Sequence, residues 1–462
     1  MTYSSLLFIY GFLPVSLLIY RIVPENFRHL SLLVISGIFC SLKSLWFAGF
    51  MITYAVINYL SGLFIWKFRN KKILSAISLS LGTGVDLLVF FMFRTDFMDI
   101  LRNRFGIPES FFPLEISFVT LTAVGYLIDI FRKCMKPEFD FVKFALYIMF
   151  FPKLFIFVRY KSFYRMLGNT KVTLADMGTG FRIFVRGLAK KVIAGDTMYM
   201  LCVAVESTDI WKMSAVNAWL GITAYMLGLY FTLSGITDMG AGAGYCFGFR
   251  LPRSFNYPVF STKMRDFASG WHVQIIYWFR RYVSRPLGKL GRNRVYRKII
   301  FISAWCLVGL WYRFDANGLM WGFLIGLTVV LEKYIRKFRL LKVTGIIYTY
   351  VITIICMVFL SGRNITQSFN YLLVMLGGNK VFADSVTLYL FKYYIVMLLV
   401  CMYFSTGLFR NLLMRSEMTR LKTFISALSP VVTMILLVLC TILISYNGNS
   451  GITWLEFQEA GL

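Results

Sequence analysis

From residue 3 to residue 444 the chain is a succession of apolar stretches near the length that crosses hydrocarbon, about 20 residues each, separated by short polar breaks. A water-soluble globule is excluded by that pattern. Only 15% of the residues are charged, against about 25% in ordinary soluble domains, while 58% are hydrophobic and 18% aromatic. The expected fold class is all-α: a polytopic integral membrane protein with roughly ten or more transmembrane helices. It is expected to form a single membrane domain over residues 1–462, because no linker, low-complexity tract or fixed-period repeat divides it. The apolar runs cover Tyr3–Tyr20, Leu30–Leu42, Ser44–Trp66, Ile73–Phe93, Ile116–Phe131, Phe141–Val158, Met213–Leu233, Ile299–Trp311, Gly318–Leu331, Thr344–Leu360, Val386–Leu408 and Phe424–Ile444.

Forty-nine Lys and Arg against 21 Asp and Glu leave a formal charge of +28. The basic residues sit in short blocks between apolar runs, the pattern of cytoplasmic loops beside anionic lipid headgroups, so nucleic acid is not the implied partner. Arg21 and Arg28 follow the first run and no side-chain charge precedes it, which predicts an N-terminus outside the cytoplasm. That run lacks a basic leader and a small-residue cleavage site, so it reads as the first transmembrane helix. Eight cysteines are scattered without a CxxC pair, most of them inside apolar runs. They read as small buried hydrophobes, with no metal site and no disulfide frame.

Two stretches, Arg159–Lys191 and Phe249–Lys298, are too charged to span and read as amphipathic or re-entrant helices on the cytoplasmic side. In the second, Trp271, Ile275, Trp278 and Tyr282 predict an apolar stripe on one helix face. Arg280, Arg281 and Arg285 crowd its C-terminal end, with Arg292 and Arg294 beyond. Guanidinium groups so spaced suit the phosphates of an acyl donor or of lipid headgroups.

The chain has two histidines, the side chain best matched to proton transfer near neutral pH. His29 lies in a loop between two apolar runs and reads as an interfacial residue. His272 lies at membrane depth, where a polar group must be satisfied by partners or line a cavity. Asp238 stands in an apolar surround that demands a partner, with Arg265 and Arg250 as candidates, in a structural or a catalytic role. Gly235, Gly240, Gly242 and Gly244 permit close helix approach.

The run Phe231-Thr-Leu-Ser-Gly-Ile-Thr-Asp-Met-Gly240, continued by Phe247-Gly-Phe-Arg-Leu-Pro-Arg-Ser-Phe-Asn-Tyr-Pro258, Arg265-Asp-Phe and Trp271-His272, resembles the signature block of the membrane-bound O-acyltransferase family. Its polysaccharide-acetylating bacterial subgroup is the most similar. Phe150-Phe-Pro-Lys153, Gly309-Leu-Trp311, Trp321-Gly322 and Arg363-Asn-Ile-Thr-Gln367 stand in matching order. The resemblance spans roughly residues 85 to 450, leaving 1–84 as N-terminal transmembrane helices. It implies acyl transfer to an exported cell-surface polysaccharide in a bacterial cytoplasmic membrane. The implied donor is cytoplasmic, acetyl-coenzyme A or an acyl carrier, with no bound cofactor. The implied partner is an extracytoplasmic acceptor or transferase.

One departure bears on chemistry. Where the family carries its main catalytic histidine, after Gly-Leu-Trp, this chain has Tyr312. A phenol with an ordinary pKa near 10 donates hydrogen bonds and is a poor base, and loss of a base costs about 10²- to 10⁴-fold in rate. Asp315 is a conceivable substitute base or a helix-terminal carboxylate. The implied site is therefore His272, Tyr312 and Asp238, with Arg265, Trp271, Arg280, Arg281, Arg285 and Trp311 binding donor or substrate. Two readings follow: an O-acyltransferase, or a catalytically degenerate scaffold or conduit subunit. A multispanning transporter is the weaker third, since no broken-helix repeat is visible.

Overall fold

In hydrocarbon a backbone has no water to bond, so each apolar run closes its hydrogen bonds within itself and becomes a helix. The computed structural model describes residues 2–95, 104, 115–168, 172–291, 293–335, 345–407 and 419–446. Regular structure among them is helical throughout. In chain order the helices begin with α1 (Leu13–Ile22), α2 (Arg28–Lys43), α3 (Leu45–Lys67), α4 (Lys72–Met92), α5 (Glu115–Phe131), α6 (Phe141–Met149) and α7 (Tyr160–Leu167). They continue as α8 (Leu174–Ala189), α9 (Asp196–Glu206), α10 (Ala215–Cys246), α11 (Met264–Gly270), α12 (Val273–Phe279) and α13 (Arg285–Leu290). The series ends with α14 (Arg294–Tyr312), α15 (Ala316–Ile335), α16 (Gly345–Ser361), α17 (Ile365–Met375), α18 (Ser385–Ser405) and α19 (Thr419–Tyr446).

Six of these are long and apolar enough to cross a bilayer: α3, α4, α10, α14, α18 and the Ser426–Tyr446 part of α19. Shorter apolar helices occupy Leu7–Ile22 and Gly345–Ser361. Two predicted spans take other forms. Phe141–Val158 stops being a helix at Met149, because Pro152 sits in the following 3-10 turn and has no N–H with which to extend the ladder. The run at 116–131 is a helix, but nearly every residue of α5 is buried, which makes it a core helix rather than a lipid-facing one.

The chain divides into two compact units, Met1–Val185 with Ile236–Pro252, and Arg186–Gly235 with Arg253–Leu462. In the first, Arg159 donates from Nε and one terminal nitrogen to Asp129 Oδ2 at 3.0 and 2.8 Å, and Lys43 pairs with Glu115. Close helix approach rests on glycine: a Cβ on Gly240 would strike the Pro152 carbonyl oxygen at 2.5 Å. In the second, Lys191 and Asp196 form a buried ion pair at 3.3 Å. There α14 and α15 touch backbone to backbone, since a Cβ on Gly309 or Gly322 would collide with carbonyl oxygens of the facing helix.

Candidate active site

The stripe Trp271, Ile275, Trp278, Tyr282 is buried at all four positions, yet it is not one helix. The chain breaks at His272, whose φ of 39° and ψ of 58° place a non-glycine residue in the left-handed region. Such a conformation persists only where the surroundings impose it. Here they do so on both sides: Asn256 N–H donates to the Gly270 carbonyl at 3.0 Å, and Val273 N–H to the Ser254 carbonyl at 2.6 Å. His272 then starts α12, its carbonyl accepting from Ile275 N–H at 2.9 Å. The preceding helix, α11, is anchored by Glu332 of α15, whose carboxylate accepts from the backbone N–H groups of Met264 at 3.0 Å and Arg265 at 3.3 Å. A buried carboxylate on a helix N-terminus satisfies otherwise orphaned donors.

That clamp brings His272 against Tyr312, the C-terminal residue of α14. Trp271 Nε1–H donates to the Tyr312 hydroxyl oxygen at 3.0 Å, and the same oxygen lies 2.7 Å from His272 Nδ1. With the indole proton directed at its oxygen, the phenol is placed to donate its own proton to the imidazole, an assignment made from the network. All three side chains are at most 1% exposed. Phe255 stacks on the imidazole at 5.1 Å between centroids, Trp311 meets its edge at 5.8 Å, and Trp321 packs on Tyr312 at 5.2 Å. Burial in this enclosure pushes the His272 pKa down to about 3, so the ring is neutral at physiological pH, the form able to accept a proton.

Beside the pair, the same two parts of the chain wall a cavity of about 540 Å³. Its floor is apolar, with Ile276, Phe279, Trp305 and Val308 among its residues, and Arg265, Arg280, Arg285, Arg297, Lys298 and Lys333 project into it without any carboxylate. Three of those cations, Arg265, Arg280 and Arg285, are ones the sequence singles out. Arg281 does not line the cavity; its guanidinium lies 5.5 Å from the Tyr282 ring. Arg297, Lys298 and Lys333 carry no such signal in the sequence, because they stand apart from that cluster at the ends of apolar runs. The ring that holds His272 is equally hidden at Phe255, which has no signal beyond its place in the motif.

The other candidates have surroundings of their own. Asp238 is half-buried on the part of α10 that belongs to the first unit. Arg250, also in that unit, pairs with Asp176 at 3.9 Å. Asp315 is a helix-terminal carboxylate: Oδ1 accepts from Gly318 N–H at 2.8 Å and Oδ2 from Arg313 at 2.6 Å. His29 Nε2 lies 3.1 Å from the Leu167 carbonyl oxygen. Arg294 is exposed at the start of α14, and Arg292 lies outside the described residues. No group of three or more His, Cys, Asp or Glu side chains placed to hold a metal ion occurs among the described residues.

Comparison with known proteins adds a family. Residues 131–362 match the family model described as MBOAT, membrane-bound O-acyltransferase. The chain is 30% identical over 353 residues to a probable alginate O-acetylase of Azotobacter vinelandii, an alignment covering 73% of this chain and 69% of that protein. It is 27% identical over 427 residues to a peptidoglycan O-acetyltransferase of Helicobacter pylori, covering 82% and 80%. Against a teichoic acid D-alanyltransferase of Bacillus subtilis the identity is 25% over 244 residues, covering 49% and 60%.

Proposed function

We propose that this chain, which belongs to the membrane-bound O-acyltransferase family, takes part in O-acylation of an exported cell-surface polysaccharide from within a bacterial cytoplasmic membrane. The group placed on the polymer is read as acetyl, in keeping with the relatives named for alginate and peptidoglycan acetylation. The observation that carries the reading is the hydrogen-bonded chain Trp271, Tyr312, His272 inside its aromatic enclosure.

Acyl transfer to a hydroxyl joins the hydroxyl oxygen to the thioester carbonyl carbon, breaks the carbon–sulfur bond and releases one proton from the hydroxyl. In the proposed relay Tyr312 passes its phenolic proton to His272 Nδ1 as it takes up the acceptor's proton. His272 is the base, and its proton finally leaves with the thiol. Tyr312, at the position matching the family histidine, touches the acceptor. The basic cavity receives the anionic handle of a cytoplasmic donor, acetyl-coenzyme A or an acyl carrier, with its apolar floor under the acyl thioester. The cytoplasmic side of residues 249–298, the outward N-terminus and an extracytoplasmic acceptor or partner protein belong to the same proposal.

A specific observation favours the second reading, a degenerate scaffold: His272 Nδ1 is already engaged and its ring almost sealed, and burial opposes the imidazolium that a base must become. The O-acetyl content of the surface polysaccharide, measured by NMR in wild-type, deletion and His272→Ala cells, separates the two. Transfer through the relay requires ester to fall with the deletion and by about 10²-fold or more in rate with His272→Ala. Ester lost in the deletion yet retained in His272→Ala identifies a scaffold.

A further inference from the structure

One helical turn separates the His272–Tyr312 pair from the cavity, and it does so on two helices at once. Ile276 follows His272 by four residues on α12, and Val308 precedes Tyr312 by four on α14. Each therefore stands on the same helix face as its member of the pair, about 6 Å along the axis. Ile276 and Val308 line the cavity, while His272 and Tyr312 do not. The cations lie at the end away from the pair. Arg280 and Arg285 follow Ile276 in the chain, and Lys298 precedes Val308 by ten residues, about 15 Å along α14. The order along these helices is thus charge, then an apolar layer, then the hydrogen-bonded pair.

That layer has little freedom to yield. Isoleucine and valine are β-branched and stiff at χ1, and Val308 is 2% exposed. Helix α14 is held against α15 on either side of it: a Cβ on Gly322 would lie 2.1 Å from the Trp305 carbonyl oxygen, and one on Gly309 would lie 2.0 Å from that of Gly318. For a thioester carbon to meet the Tyr312 hydroxyl, the acyl group has to enter this layer, and walls packed at interior density respond to single methylenes. We propose that Ile276 and Val308 set the length of acyl group the site accepts, admitting a short one such as acetyl and excluding longer chains. This rests on the reading of the basic cavity as the donor site.

The test measures binding to the full-length, detergent-purified protein, with coenzyme A, acetyl-coenzyme A and butyryl-coenzyme A as probes. Because the readout is affinity, it holds for an enzyme and for a scaffold that has lost transfer. Wild-type protein should favour the acetyl ester over the butyryl ester. Val308→Ala removes two carbons from the layer and should raise butyryl affinity relative to acetyl about tenfold, since the added methylenes are then buried. Ile276→Val opens the layer less and should move the ratio the same way, which keeps the test in force should Val308→Ala fail to fold. Val308→Phe fills the layer and should weaken acetyl-coenzyme A about tenfold, while coenzyme A, which carries no acyl group, binds as before. A butyryl-to-acetyl ratio that is the same in wild type, Val308→Ala and Ile276→Val overturns the size filter alone. A wild-type protein that binds none of the three probes overturns the donor reading beneath it.

Discussion

At His272 a strained backbone, a buried ring and a phenol partner coincide, and each has a measurable consequence. Because burial holds the folded-state pKa near 3 against about 6.5 in an unfolded chain, the unfolded state binds an extra proton between those values. Stability associated with this ring is therefore intact above about pH 6.5 and falls as the pH drops toward 3. Thermal unfolding from pH 7 to pH 4 should show a Tm loss that His272→Gln makes shallower; identical slopes would show that the ring does not stay neutral in the fold. Tyr312 decides between relay and scaffold from the other side. In the relay, Tyr312→Phe keeps the enclosure, removes the transferable proton and should lower acyl transfer about 10²-fold. Activity equal to wild type would place the acceptor elsewhere. Trp271 has an anchoring role in both readings, since its indole fixes the orientation of the phenol.

Among the elements, the one that sets this geometry is short. Helix α11 has seven residues and its N-terminus is held by Glu332 from α15. Loss of a capping carboxylate costs about 0.5–2 kcal/mol, and here the same loss frees the segment that carries Trp271 and His272. Glu332→Ala should lower Tm by about 1 °C, the scale expected for about 1 kcal/mol in a protein of this size. It should also reduce transfer more than that stability change accounts for. Full activity at lowered Tm would mean that the flanking 254–256 segment alone positions the histidine. The glycines of α14 and α15 work at the same scale. Gly309 and Gly322 stand in the two halves of the Gly-Leu-Trp and Trp-Gly motif, and their contact is backbone on backbone, which explains the motif by packing before any chemistry.

At the scale of the whole molecule, an excess charge of +28 is spread along the chain in short blocks, and folding concentrates part of it. Six cations from three separate stretches, 265–285, 297–298 and 333, converge on one cavity with an apolar floor. A polyanion with an apolar end fits such a place better than a free inorganic ion does, because the floor contributes only when an apolar group covers it. Arg280→Glu with Lys333→Glu should weaken acetyl-coenzyme A binding to the detergent-purified protein by about tenfold or more. Arg281→Glu, a charge reversal of the same kind that lies on Tyr282 and outside the cavity, should have a much smaller effect. Equal losses from both would assign the binding to general surface charge.

The sequence by itself determined the membrane setting, the helical class and the family, because each is written in local pattern. Apolar runs near the bilayer thickness dictate helices, and ordered motifs such as Gly309-Leu-Trp311 and Trp271-His272 survive without knowledge of what they touch. His272 and Tyr312 were legible as two separate oddities, a rare imidazole and a tyrosine after Gly309-Leu-Trp311. Only the tertiary structure decided that they are hydrogen-bonded to each other, across a sequence separation of 40 residues. It alone replaced a continuous helix through Trp271 by a left-handed break, whereas the end of the Phe141–Val158 helix at Met149 and the Asp315 cap rest on chain neighbours, Pro152 and Gly318. The physical reason is range: hydropathy and helix propensity act over neighbouring residues, whereas a buried proton's partner, a cavity's charge and a forced φ are set by whichever distant segments packing brings to the same point.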